Sequence, residues 1–160
     1  MLDSLSERHP LIREICRGES GERPLIGVAP GSGLVTRTAV EAGANVLFAF
    51  SAGLYRAAGV GSLGSFLPFG NANDQTQELL ATRILPHCGD TPVVAGLMAG
   101  DPEVPLEQRL ARYADLGIRA VTNFPASGMA DGTMRLVMAS EGFGHEEERR
   151  MLEKARRLGF

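Results

Sequence analysis

No apolar run in this chain approaches the ~20 residues that a membrane span needs. The opening MLDSLSERHP has neither the basic stretch nor the apolar stretch of a secretory leader, so a cytoplasmic protein is expected. There is no basic excess either. Sixteen Lys and Arg against 19 Asp and Glu leave a formal charge of −3, which offers nucleic acid no electrostatic footprint. The Arg-rich end, RRMLEKARR, alternates with Glu and reads as a solvated helix face. Only two cysteines occur, Cys16 and Cys88, without CxxC or metal spacing, and they read as reduced thiols. The three histidines form no pair with metal spacing. His9 lies in the leading segment, His87 is expected at a helix end near the far rim, and His145 opens the last helix beside Glu146 and Glu148. Each reads as structural or solvated. A GxSxG nucleophile elbow is missing, as is any Cys–His pair suited to act as nucleophile and base.

Glycine, by contrast, is plentiful at 20 residues, and much of it is grouped in GVAPGSG and GLYRAAGVGSLGSFLPFG. Such clusters beside strands mark backbone that turns sharply or approaches something closely. Hydrophobic residues at 44% and charged residues at 22% are an ordinary globular balance, and 160 residues suffice for a core. The expected organisation is a single α/β domain over 1–160, with a leading helix over 1–20 and four βα units over 24–159. PLIGVA (24–29), NVLFAF (45–50), PVVAGLM (92–98) and IRAVTNF (118–124) read as buried strands, apolar on both faces as parallel strands are. Helices are expected over 34–42, 73–88, 105–117, a short stretch from Thr133, and 145–159, where Leu106, Leu110, Tyr113 and Leu116 keep near-helical spacing.

Alternating βα units predict a parallel α/β fold. A doubly wound sheet calls for GxGxxG or GxxxxGK[ST] at the first turn, and GVAPGSG is neither. Four units are half of a (β/α)8 barrel. Helices run into Gly43 and Gly117, each followed at once by a strand, whereas Gly159 is followed only by Phe160. The expectation is a half-barrel whose open strand edges pair between two copies, or else a piece of a longer polypeptide.

LIGVAPGSGL, FSAGLYRAAGVGSLGSFLPFGNAN, TPVVAGLMAGDP, VTNFPASGMADGTMR and EGFGHEEERRMLEKARRLG resemble successive blocks of the phosphoenolpyruvate hydrolase-like TIM-barrel family. The same kind of barrel forms the C-terminal domain of Tm-1-like plant proteins. The resemblance runs from about Pro24 to Gly159, the N-terminal half of such a barrel. It implies chemistry on phosphoenolpyruvate or a related 2-oxo acid. Related barrels hold Mg²⁺ with carboxylates.

A barrel of this kind places its site at the carboxyl ends of the strands. After the first strand, Gly31, Ser32 and Gly33 open a helix whose N–H groups favour an anion. After the second come Ser51, Gly53 and Arg56, a guanidinium suited to a carboxylate or phosphate. Asp101 follows the third strand, as a proton-transfer group or a tentative Mg²⁺ ligand. Asn123 ends the fourth and would orient substrate. The expected function is catalysis on a small anionic 2-oxo acid or enol phosphate by a hydrolase or lyase, with Asp101 and Arg56 catalytic. A non-catalytic ligand-binding or regulatory barrel, or a truncated inactive fragment, is the alternative. A second carboxylate facing Asp101 would favour the enzyme, and the four loops offer none clearly.

Overall fold

The computed structural model of the chain describes Pro10 and residues 24–160. The expected leading helix, with His9 and Cys16, lies outside the described residues. Four strands form one parallel sheet: β1 (Gly27–Val28), β2 (Val46–Ala49), β3 (Val93–Leu97) and β4 (Val121–Asn123). They lie side by side in the order β1-β2-β3-β4. Leu47 stands beside Val93 and Leu97 beside Asn123. Strands in chain order, each reached by a crossover helix, are what one arc of a barrel requires; a doubly wound sheet reverses its order at a switch point.

The helices are α1 (Gly33–Glu41), α2 (Ala52–Ala57), α3 (Ala72–Leu79), α4 (Leu106–Asp115), α5 (Gly132–Ser140) and α6 (His145–Arg157). Two differences from expectation stand out. The Gly-rich stretch after β2 contains α2 and a short tight helix over Ser62–Phe66. The helix expected over 73–88 keeps α-geometry only to Leu79, then widens over Leu80–Ile84 and tightens over Leu85–His87, where Pro86 supplies no N–H. His87 is not at the far rim. Its imidazole lies where a Cβ on Gly33 would be, against the first turn of α1.

The core lies between the sheet and the helices. Leu47, Ala49, Ala95 and Leu97 of the strands meet Leu79, Leu80 and Ile84, Leu110 and Tyr113 of α4, and Met151 and Ala155 of α6. The α4 stripe forms because Leu106, Leu110 and Tyr113 recur at i, i+4 and i+7. Tyr113 carries its hydroxyl into this core and donates it to the Gly96 carbonyl at 3.0 Å, which ties α4 to the middle of β3. The other face of the sheet carries a smaller cluster of Val46, Val94, Phe48 and Ala120. Above it runs a chain of rings, Phe48 to Phe50 to Phe124, with Phe66 edge-on at the end.

Among the described residues, strands β1 and β4 each pair on one side only. Leu25 and Ile26 beside β1 are exposed, as are Met134, Leu136 and Val137 of α5, a helix that buries none of its residues. After the helices, Gly43, Gly117 and Gly159 all take the left-handed backbone, with φ of 86°, 82° and 96°, so the three helix ends named from the sequence are built alike.

Candidate functional site at the carboxyl ends of the strands

At the end of β1, Ser32 caps α1, its Oγ accepting the Val35 N–H at 3.3 Å. The flanking glycines have intramolecular reasons. A Cβ on Gly31 would collide with the Gly53 carbonyl, and one on Gly53 would lie 2.5 Å from the Pro30 carbonyl. The loop after β1 and the start of α2 therefore touch backbone to backbone. Gly33 makes room for His87. The close approach foreseen from glycine is real, and its partner here is the chain itself. Arg56 reaches back across this contact, donating to the Ala29 carbonyl at 2.7 Å and to Ser62 Oγ at 2.9 Å. Ser51, fully buried at the end of β2, has a hydroxyl with no hydrogen-bond partner among the described residues.

After β3, Asp101 is the hub of a polar network. Its Oδ1 accepts from Asn71 Nδ2 at 3.0 Å and from the N–H groups of Glu103 at 3.0 Å and Val104 at 3.2 Å. Its Oδ2 accepts from Asn73 Nδ2 at 3.0 Å and Arg109 at 2.9 Å. Asn71 works in two directions, since its Oδ1 also caps α3 through the N–H groups of Asn73 and Asp74. Asn73 in turn accepts the Met98 N–H and donates to the Met98 carbonyl, joining α3 to the end of β3. Arg109 is 1% exposed, yet it bonds Asp74, Gln77 and Asp101 together. Burial acts on the Asp101 carboxyl most strongly and pushes its pKa up. The bonds from Asn73, the Glu103 N–H, Asn71 and Arg109 outweigh that and bring it down to about 2.

The lone pairs of Asp101 are thereby committed. A carboxylate offers about four lone-pair sites, and five donors converge on this one. Among the described residues no three His, Cys, Asp or Glu side chains come together to hold a metal ion. Mg²⁺, which prefers about six oxygen ligands and a carboxylate with free lone pairs, does not fit the donors present.

Asn123 stands at the end of β4 in register with Leu97, on the helix side of the sheet. Its amide donates to Glu148 Oε2 at 3.3 Å. Glu148, on the first turn of α6, is a second buried carboxylate at the strand ends, with a side chain 5% exposed. Its Oε1 accepts the Ser127 N–H at 2.5 Å, and His145 Nδ1 lies 3.5 Å from Oε2. The positive end of the helix dipole favours its charge. Asn123, Ser127, Arg135, His145 and Glu148 share the wall of a cavity of about 600 Å³. Glu148 and Ser127 also line an adjoining cavity of about 280 Å³ walled by Phe66, Met98, Pro125 and Phe143.

Two of the residues that matter here were not singled out from the sequence as site residues, and both stand on apolar stripes. Glu148, Met151 and Ala155 recur at i, i+3 and i+7, and Arg109 shares the face of Leu106, Leu110 and Tyr113. A charge in phase with a buried stripe was the available signal.

Four consecutive parallel βα units with polar groups gathered at the carboxyl ends of the strands define the class: an α/β arc of the TIM-barrel type. Residues 11–160 match the family described as phosphoenolpyruvate hydrolase-like, and the chain belongs to that family. It is 31% identical over 158 residues to the ToMV resistance protein Tm-1(GCR237) of Solanum lycopersicum, covering 99% of this chain and 21% of the relative. The ToMV susceptible protein tm-1(GCR26) of the same plant matches to the same extent, 31% over 158 residues. The chain thus spans about a fifth of the length of these relatives. Among solved structures, a phosphonopyruvate hydrolase in complex with oxalate and Mg²⁺ is similar at a TM-score of 0.43 and 17% identity, over 64% of this chain and 36% of the other. No helix among the described residues is long and apolar enough to cross a membrane.

Proposed function

We propose that this domain carries the catalytic half-site of an enzyme acting on a small anionic 2-oxo acid or enol phosphate, by hydrolysis or lysis. The observation that carries the reading is the second buried carboxylate. Asp101 and Glu148 sit at the ends of neighbouring strands in opposite states. Asp101 is saturated and organises the rim, whereas Glu148 faces a cavity with its imidazole neighbour. Glu148 is the proton-transfer group, Asn123 and Ser127 position it, and Arg56 braces the loop after β1 through the Ala29 carbonyl and Ser62. General acid–base catalysis contributes ~10²–10⁴-fold. The test is a panel of short 2-oxo acids and enol phosphates, with release of pyruvate read by a coupled assay. Turnover by the protein, lost by two or more orders of magnitude in Glu148→Gln, is expected. Equal turnover by both proteins, or none across the panel, overturns the reading.

A second reading, a ligand-binding domain without turnover, is favoured by the relatives' names, neither of which is that of an enzyme. Resistance and susceptible forms match equally, so the likeness does not separate resistance from susceptibility. We also propose that the open edges of β1 and β4 and the uncovered apolar side of α5 meet a second copy of the chain, because parallel strands of this composition are built for burial on both sides. Light scattering at twice 17.0 kDa supports pairing, and a well-folded monomer rules it out.

A further inference from the structure

We infer that the anionic end of the ligand is bound by Arg135 in the cavity at the end of β4, and not at the loop after β1. This deepens the proposed function and rests on its placing of Glu148 at the reacting end. At the start of α1 the chain packs closely on itself: a Cβ on Gly31 would meet Gly53, one on Gly33 would meet His87, and Ser32 Oγ takes the Val35 N–H. Other cations near the strand ends are engaged. Arg56 holds the Ala29 carbonyl, Arg83 the Gly31 carbonyl, Arg109 two aspartates, and Lys154 bonds Glu107. Arg135 lines the cavity of about 600 Å³, and its guanidinium has no hydrogen-bond or ion-pair partner among the described residues. Its surroundings complete a site of stated chemistry. Leu136, Ala126 and Ala139 supply apolar wall, Asn123 and Ser127 supply neutral polar groups, and the buried Glu148 carboxylate closes the inner end with the His145 imidazole beside it.

A ligand that satisfies both ends is a small organic acid. Its carboxylate or phosphoryl group forks onto the guanidinium, and its uncharged carbonyl or hydroxyl end lies toward Glu148. A second negative charge at the inner end would meet Glu148 in a place poor in solvent, so monoanions, or acids with their charge at one end, are selected.

Calorimetry with pyruvate, a monoanion charged at one end, and with inorganic phosphate separates carboxylate from phosphoryl recognition. Each probe is titrated into the protein and into Arg135→Gln and Glu148→Gln. Arg135 is exposed, so its replacement is expected to leave the melting temperature unchanged. At least one probe binds the unaltered protein, weakens tenfold or more in Arg135→Gln, and binds Glu148→Gln as well or better. Binding that ignores Arg135→Gln, or no binding by either probe, overturns the inference. Arg135-dependent binding without turnover sinks the enzyme reading alone. Glu148-dependent turnover that ignores Arg135 sinks the anion site alone.

Discussion

Asp101 and Glu148 are both carboxylates withdrawn from water at the ends of adjacent strands, 7% and 5% exposed, and their surroundings differ in the number of donors each carboxylate meets. Five donors, one of them a guanidinium, surround Asp101. Glu148 has one short bond from a backbone N–H, one long bond from an amide and a neighbouring imidazole. A carboxylate saturated in that way is a poor base and a poor metal ligand, because every lone pair already serves a donor. One left with few donors keeps lone pairs and freedom to exchange a proton. The position that looks most catalytic in sequence, an acid directly after a barrel strand, is here saturated with donors. The proton-transfer position we propose comes from a helix further along the chain.

The largest test of this contrast is Arg109→Ala. It leaves Asp101 buried without its cation, and breaking a buried pair from one side costs roughly 3–5 kcal/mol. Urea unfolding is expected to show that loss. A change below 1 kcal/mol would mean that the network is not load-sharing as described.

Asp101→Asn comes next and carries a pH signature. The folded carboxyl lies at about 2, below its ordinary 3.8, so its contribution is complete above pH ~4 and is lost as pH falls toward 2. The shift corresponds to roughly 2 kcal/mol at neutral pH. Stability curves of Asp101→Asn and the unaltered protein should converge in that acid window, and parallel curves down to pH 2 contradict the assignment.

Glu148→Gln should barely move stability, within about 1 kcal/mol, because the amide keeps an acceptor for the Ser127 N–H and shed charge eases burial. A loss as large as that of Arg109→Ala would make Glu148 a second scaffold and erase the contrast. The smallest expected effect is that of Mg²⁺. Titrated into the protein and into Asp101→Asn, it should give no binding heat in either. Binding that the variant loses would return a metal role to Asp101.

Much of the architecture was already legible. Apolar runs near 24–29, 45–50, 92–98 and 118–124, separated by amphipathic stretches, specify a parallel α/β alternation whatever the details of packing. Glycine after helices marked the left-handed ends, because other residues meet a Cβ clash there. The residues read as rim residues lie at the carboxyl ends of the strands, as the βα order requires. What they do there was not decided by local sequence. Asp101 is silenced by Asn71 and Asn73, about thirty residues earlier, and by Arg109 from the following helix. Glycines that promised room for a ligand make room for Gly53 and His87. Glu148 reaches Asn123 and Ser127 only because α6 folds back onto β4. Local sequence sets backbone geometry and periodicity, which act over a few residues. The charge state and free lone pairs of a side chain depend on every donor within about 3 Å, and only the tertiary fold brings those donors together.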